Sequence, residues 1–217
     1  MPLVITLAHQ KGGVGKSTLA SNLRSFFSSA YKTALVDIDP QGSLAKLATA
    51  FAEQEGREPE HVISRKDFQS YAELKDKISG YEVVIIDTPP YLSTELEAVF
   101  DLSTLVVVPC KTSPLDLLAI GDTLDLIRAH QFKNPDLLSG VVLTMTIRGT
   151  DFTQQIRSEI ENMGFHVFAS EIGNRVAYMR SLLRSNSVEG EDNKKAWAEI
   201  QSLGEELISF LQAKYDE

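Results

Sequence analysis

Residues 10–18 read Gln-Lys-Gly-Gly-Val-Gly-Lys-Ser-Thr, a glycine-rich turn that ends in a lysine and two hydroxyl residues. The apolar run Leu-Val-Ile-Thr-Leu-Ala at 3–8 precedes the turn, and apolar residues at helical spacing follow it from Leu19 onward. Glycine permits positive φ, so successive backbone N–H groups can surround phosphate oxygens at the start of a helix. The stretch therefore predicts a strand, a phosphate-binding loop and a helix that begins near Lys16.

The residue types of this loop indicate how it would bind a nucleotide. The residues that we expect to contact the nucleotide are Lys11, Gly12, Gly13, Val14, Gly15, Lys16, Ser17 and Thr18. The ammonium of Lys16 is expected at the β- and γ-phosphates, because a point charge is best placed there. We expect the Ser17 hydroxyl to bind Mg²⁺ between those phosphates and Thr18 to donate a hydrogen bond to the α-phosphate.

The loop departs from the standard phosphate-loop pattern, because Gln10 stands where the first glycine is usual and Lys11 follows it. This Lys-Gly-Gly-Val-Gly-Lys-Ser pattern resembles the deviant Walker A motif of the ParA/MinD superfamily of P-loop ATPases. The segments that also resemble this superfamily, in matching order, are 34–43, 83–90, 106–109, 113–116, 140–144 and 175–178. The resemblance covers nearly the whole chain and is closest to the short, ParF-like class of plasmid partition proteins.

The resemblance implies a P-loop NTPase fold, an α/β domain in which helices flank a doubly wound, mostly parallel sheet. The alternation of apolar and helical segments independently predicts the same layout. The predicted strands lie near 3–8, 33–37, 82–87, 104–109, 140–145 and 165–169. We expect one domain over residues 1–217, because apolar residues are spread along the whole chain.

The resemblance also implies roles for three aspartates that follow predicted strands. Asp37 and Asp87 would hold Mg²⁺ together with Ser17. Asp39 would orient the attacking water, and Asp37 would be the more structural residue of the pair Asp37 and Asp39. Lys11 would reach across a two-fold interface to the phosphates of a partner subunit, so that ATP joins two subunits and hydrolysis releases them. The alternative for this residue is a lysine solvated at the loop surface. The predicted catalytic residues are thus Lys11, Lys16 and Asp39, with ATP and Mg²⁺ as ligands.

A basic stretch near the end of the chain is the candidate DNA-binding surface. Its residues are Arg175, Arg180, Arg184, Lys194 and Lys195. The net charge of −9 argues against general adhesion to nucleic acid, but two subunits could combine local patches into one face. A solvated charge or a salt bridge is an equally good interpretation of any single arginine here. The resemblance further implies that Asn174 and Arg175 flank the adenine.

Other residues are assigned structural roles. Cys110 ends an apolar strand and is expected to be a buried small hydrophobe, while the four histidines lack metal-ligand spacing. The Ser-Pro-Leu-Asp sequence at 113–116 has the N-cap, first-turn proline and N3 acid of a helix start, so Asp116 is expected to be structural and to lie outside the active site. The polar stretches 53–60 and 185–193 are expected to be exposed loops.

The last predicted helix begins near Lys194 and combines an apolar stripe with many acidic residues. We expect this helix to pack against the core, because a MinD-type membrane anchor would need a basic amphipathic tail. With no apolar run as long as a membrane span, the chain is expected to be cytoplasmic. The resemblance to ParA proteins implies that it associates with the nucleoid.

The predicted function is that of a ParA-type partition ATPase. ATP would drive homodimerisation and non-specific DNA binding, and a small centromere-binding adaptor of the ParB/ParG kind would stimulate hydrolysis during segregation of plasmid or chromosomal DNA. One alternative is a ParA-like ATPase that positions a protein cargo, such as a chemotaxis array or a microcompartment. Another is a scaffold that polymerises on ATP.

Overall fold

The structure, a computed structural model, describes residues 1–56, 62–91, 94–147, 151–184, 187–190 and 194–215. Strands and α-helices alternate along these residues, except that two α-helices follow the last strand. The strands are β1 (Leu3–Leu7), β2 (Thr33–Asp37), β3 (Val62–Ser64), β4 (Val83–Asp87), β5 (Leu105–Lys111), β6 (Leu138–Thr146) and β7 (Val167–Gly173). The α-helices are α1 (Lys16–Ser28), α2 (Ser43–Glu55), α3 (Tyr71–Ile78), α4 (Thr94–Phe100), α5 (Pro114–Lys133), α6 (Phe152–Asn162), α7 (Val176–Arg184) and α8 (Lys194–Tyr215).

The seven strands form one sheet in the order β3-β2-β4-β1-β5-β6-β7, and every neighbouring pair is parallel. Buried aliphatic residues fill the central strands, as is usual when helices cover both faces of a sheet. In the register, Leu7 and Asp37 both lie opposite Asp87. The carboxyl ends of β1, β2 and β4 therefore meet at one level, where ligands bind in sheets of this kind. The predicted doubly wound α/β sheet is confirmed, and it is wholly parallel.

The structure differs from the sequence predictions at three places. β3 lies at the sheet edge and has only three residues, which is too short for an alternation of apolar and polar residues to predict a strand. The stretch 53–60 was predicted as a loop, but residues 53–55 complete α2, and 57–60 lie outside the described residues. In the stretch 185–193, Val188 is fully buried and its N–H donates to Asn22 Oδ1 at 2.8 Å, so the prediction of an exposed loop is wrong there.

Helix α1 connects the phosphate loop to the core. It begins at Lys16 as predicted, because Gly15 at φ +99° turns the chain into the helix. Leu23 and Phe27 on α1 are buried in the same cluster as the apolar stripe of α8, which confirms the predicted core packing of the last helix. A Cβ built on Gly204 would lie 2.2 Å from Phe26, so only glycine allows the two helices to approach this closely. Trp197 of α8 packs, partly buried, against this cluster.

Within the described residues, none of the helices combines the length and the apolar character that crossing a lipid bilayer requires.

Candidate functional site

The phosphate loop is held in place by contacts from α5 and β6. The Gln10 backbone N–H donates to Thr123 Oγ1 at 3.3 Å, and its side-chain Nε2 donates to the Ala119 carbonyl at 2.7 Å. On the other side of the loop, Thr144 Oγ1 donates to the Val14 carbonyl at 2.9 Å. These bonds satisfy polar groups of the turn with side-chain and backbone atoms of the surrounding fold, so the loop is ordered by the chain itself.

His9 stabilises the first residue of the lysine-glycine segment. Its ring is buried, and Nδ1 accepts the backbone N–H of Lys11 at 2.9 Å. Burial, and then the charge of Lys16, lower the pKa of His9 to about 4, so the imidazole is neutral at physiological pH. Only a default structural role was predicted for this histidine, because its contact with the loop depends on where the strand ends and not on any spacing in the sequence.

Lys16 lies on the floor of the loop. Its side chain is only 6% exposed, and Nζ donates to the Lys11 carbonyl at 3.3 Å. Burial lowers the pKa of Lys16, while the nearby carboxylates of Asp87 and Asp39 act in the opposite direction. A weak contact to a neutral carbonyl is a poor partner for a buried ammonium, whereas a phosphate oxygen would be a strong one.

Ser17 and Asp87 provide oxygen atoms suitable for a magnesium ion. Asp87 is 2% exposed and its carboxylate accepts a hydrogen bond from the Ser17 side chain. Among the described residues, Asp87 Oδ1 has no hydrogen-bond partner, which is costly for a buried acceptor. Burial raises the pKa of Asp87 to about 7, and the nearby Asp37 acts in the same direction. Carboxylate and hydroxyl oxygens are the ligands that Mg²⁺ prefers, so these two residues fit the predicted ion.

The other two predicted aspartates lie on the turn between β2 and α2. Asp37 is buried, and its carboxylate accepts the backbone N–H of Asp39 at 3.1 Å and that of Leu44 at 3.0 Å. This cap at the helix start agrees with the more structural role predicted for Asp37, while its magnesium role remains a prediction. Asp39 is half-buried, accepts the Gln41 N–H at 2.9 Å and lies within electrostatic range of Lys16.

Lys11 forms an ion pair within its own chain. Its Nζ lies 2.8 Å from Asp116 Oδ1, and the Lys11 side chain is 36% exposed. Asp116 also belongs to the predicted helix start, in which Ser113 caps α5: the Asp116 N–H donates to Ser113 Oγ at 3.2 Å, and the Ser113 hydroxyl donates to the Asp116 carboxylate. Burial alone would raise the pKa of Asp116, but hydrogen bonds from Lys11 and Ser113 lower it. Asp116 therefore has the predicted place in the helix start and also contacts the loop through Lys11, while its exclusion from the catalytic residues remains a prediction.

Lys111, which the sequence analysis did not single out, also lies beside the loop. It is the last residue of β5, and a Cβ built on Gly13 would lie 3.7 Å from its Nζ. Its position could have been suspected from the sequence, because this lysine directly follows an apolar run that ends at the edge of the sheet where we expected the ligand site.

The residues predicted to flank the adenine line a separate cavity of about 380 Å³ beside β6 and β7. Arg175 forms an ion pair with Glu199 of α8, with Nε 2.9 Å from Oε1, and Tyr178 donates to the same carboxylate at 3.0 Å. The salt-bridge interpretation of Arg175 is thus the one observed. Asn174 is exposed, and its N–H donates to the Thr146 carbonyl at 3.2 Å. Contact of either residue with a base remains a prediction.

The remaining candidate DNA-binding residues lie on α7 and α8. Arg180 is exposed on α7, and Lys194 and Lys195 are exposed at the start of α8. Arg184 belongs to α7, but its side chain lies outside the description. Cys110 is fully buried, which confirms its predicted position in the core, and burial raises the pKa of its thiol to about 12.

Comparison with known proteins agrees with a nucleotide-binding role for this site. Residues 5–188 match the family model described as the CobQ/CobB/MinD/ParA nucleotide binding domain, which confirms the resemblance to the ParA/MinD superfamily. The chain is 27% identical over 207 residues to the maintenance of carboxysome distribution protein A of Halothiobacillus neapolitanus, covering 94% of this chain and 95% of that protein.

Two solved structures with the same fold contain nucleotides. One is a putative plasmid partition protein from Borrelia burgdorferi bound to AMPPNP, with a TM-score of 0.74, 22% identity, and coverage of 97% of this chain and 100% of that one. The other is cobyrinic acid a,c-diamide synthase from Mycobacterium smegmatis with a bound ATP analogue and magnesium, with a TM-score of 0.73, 21% identity, and coverage of 96% and 94%. The P-loop NTPase fold is thus confirmed, and the predicted ligands agree with those bound in these neighbours.

Proposed function

Because this chain belongs to the CobQ/CobB/MinD/ParA family of nucleotide-binding domains, we propose that it binds ATP with Mg²⁺ and hydrolyses ATP as a ParA-type ATPase. The observation that carries this proposal is the meeting of Lys16, Ser17 and Asp87 at one end of the central strands. A buried ammonium with a weak partner lies there beside a buried carboxylate oxygen that has no partner among the described residues. The phosphate chain and its magnesium ion would satisfy both groups.

The chain's own residues would supply charge and position to the reaction. Phosphoryl transfer needs electrostatic stabilisation more than covalent help, and the magnesium ion supplies part of it when bound. Lys16 would exchange the Lys11 carbonyl for phosphate oxygens, and Ser17 and Asp87 would hold the ion. Asp39, on the adjacent turn, would accept a hydrogen bond from the attacking water and so orient it.

ATP would also control the association of two subunits through Lys11 and the start of α5. The ammonium of Lys11 is partly exposed and its present partner is Asp116, which a triphosphate of higher negative charge can replace. Beside Asp116, the side chains of Leu115 and Leu118 are 71% and 78% exposed, so an apolar surface adjoins the exposed lysine. An ATP-bound partner facing this surface would bury the leucines and pair with Lys11.

The mass of the Asp39→Ala variant in saturating ATP tests the dimer directly. Loss of the water-orienting carboxylate should trap the dimer, so light scattering is expected to give twice the monomer mass with ATP and the monomer mass without it. The matched control is the double variant with Lys11→Ala, which is expected to stay monomeric. A monomer mass for Asp39→Ala in ATP would contradict the proposal, and continued growth into larger assemblies would favour the polymerising scaffold.

We further propose that the ATP-bound dimer binds DNA without sequence preference to segregate plasmid or chromosomal DNA. Arg180, Lys194 and Lys195 are exposed on α7 and α8, and a dimer would present two copies of this basic surface. Because phosphate contacts release counterions, binding should appear with ATP and weaken steeply as salt rises. Charge reversal at Arg180, Lys194 and Lys195 should remove it, and DNA affinity that survives this change would exclude the surface.

A second candidate function is the positioning of a protein cargo. It is favoured by the similarity, over almost the full length of both chains, to a carboxysome distribution protein. Affinity capture with Asp39→Ala held in ATP separates the two functions. A small DNA-binding adaptor encoded beside a centromere-like site would support partition, whereas a protein bound to a microcompartment or receptor array would support cargo positioning.

A further inference from the structure

Lys111 is a half-buried lysine that lies directly against the phosphate loop of its own chain. It ends β5, which neighbours β1, the strand that leads into the loop. A Cβ on Gly13 would lie 3.7 Å from Lys111 Nζ, which is ordinary van der Waals distance. Gly13 has φ +72° and no side chain, so the ammonium faces bare backbone of the loop.

Among the residues that the structure describes, no acid forms an ion pair with Lys111. The carboxylate of Asp116 is already paired with Lys11 at 2.8 Å. The charge of Lys111 still contributes to the low pKa of Asp116, so both lysines share one electrostatic environment. A half-buried ammonium without its own anion is unfavourable, and an anion bound at the loop would relieve that cost.

We infer that Lys111 is a third phosphate-binding lysine, which contacts the phosphate chain of the nucleotide held by its own subunit. The inference rests on the proposed binding of ATP. Because the backbone around Gly13 would surround the phosphates, an ammonium this close to Gly13 can reach the same oxygens. Lys111 differs in this respect from Lys11, whose proposed target is the nucleotide of the partner subunit.

Nucleotide affinity of two variants tests this assignment. Removing a charged hydrogen bond to a phosphate should weaken ATP binding by about tenfold or more in Lys111→Gln, with an equal or smaller loss for ADP. Lys111→Arg keeps the charge and should stay within about threefold of the parent protein. The matched control is Lys133→Gln at the far end of α5, where the side chain is 70% exposed, and it should bind like the parent. Calorimetry with ATP·Mg²⁺ and ADP·Mg²⁺, at protein concentrations below dimerisation, measures each constant.

The outcomes separate this inference from the proposed function. If the parent protein fails to bind ATP·Mg²⁺, the proposed function is wrong. If the parent binds and Lys111→Gln binds equally well, only the inference is wrong. A similar loss in Lys111→Gln and Lys111→Arg, with a lowered melting temperature in both, would mean that Lys111 acts through the fold, which also overturns the inference.

Acetylation of the unmodified protein provides a test that needs no variant. Acetic anhydride modifies accessible amines, and mass spectrometry measures the modification of each lysine. ATP·Mg²⁺ is expected to protect Lys111 and Lys16 and to leave Lys133 unchanged. Protection of Lys16 without protection of Lys111 would overturn the inference.

Discussion

The floor and the mouth of the nucleotide site are built differently. The floor consists of Lys16, Ser17 and Asp87, and its two charged side chains are 6% and 2% exposed. The mouth consists of Lys11 and Asp116, and here the lysine at the front of the loop is partly solvated and already paired. The floor thus contains buried groups that lack good partners, whereas the lysine of the mouth has an acidic partner within the chain. Nucleotide binding and subunit association should therefore respond to separate mutations.

The largest effect is expected from removing the floor cation. Lys16→Ala deletes the buried ammonium that would contact the phosphates, and it should weaken ATP binding by about 100-fold, equivalent to about 2.7 kcal/mol. Calorimetry with ATP·Mg²⁺ measures this loss. A loss below tenfold would mean that the floor is not the phosphate site, and it would remove the distinction between floor and mouth.

The buried carboxylate of Asp87 in the floor should lower the stability of the nucleotide-free protein. The pKa of Asp87 is raised to about 7 from an ordinary value of 3.8. At a pH between these two values, the folded protein retains on Asp87 a proton that the unfolded chain has lost. Stability should therefore fall as pH rises from about 4 to 7, because the unfolded state then binds fewer protons. The uncharged amide of Asp87→Asn avoids this cost and should raise the unfolding free energy of the nucleotide-free protein by about 1–3 kcal/mol at pH 8.

Urea unfolding at pH 5 and pH 8 measures this difference, which should be small at pH 5. The same variant should lose the magnesium dependence of ATP binding, since the amide is a poorer ligand for the ion. Equal stability of the two proteins at pH 8 would contradict the unpartnered state of the buried carboxylate.

A smaller effect on a different property is expected at the mouth. Lys11→Ala should leave the ATP affinity of the monomer within about threefold of the parent, yet weaken ATP-dependent dimerisation by about tenfold or more. Light scattering over a range of protein concentrations measures the dimer, and calorimetry below those concentrations measures nucleotide binding. If Lys11→Ala loses both ATP affinity and dimerisation, the floor and the mouth act as one functional unit.

The smallest effect is expected from the acid at the mouth. Asp116→Asn retains a hydrogen-bond acceptor but removes the charge that pairs with Lys11, and a partly exposed ion pair is worth about 0–1 kcal/mol. Releasing Lys11 from its own chain should strengthen the ATP-bound dimer by up to about fivefold. A weaker dimer would indicate that Asp116 positions Lys11 for the partner instead of competing for it.

The floor was predictable from the sequence because its signals are local. Glycine spacing fixes the loop, and an aspartate at the end of an apolar strand fixes Asp87 at the edge where parallel strands end. The contacts of Lys11 and Lys111 were not predictable, because they depend on β1 and β5 being neighbours in the sheet. The pairing of Arg175 with Glu199 was equally hidden, since it depends on how α8 packs beside β7.

The close approach of Gly204 to Phe26 joins α8 to the helix that starts at the phosphate loop. The chain contains a single tryptophan, and it lies on α8 in this same packing cluster. Indole emission reports the polarity and rigidity of its surroundings, so the molecule carries an intrinsic optical probe. Any shift that ligand binding imposes on the first helix should change the colour or intensity of that fluorescence, with no added dye.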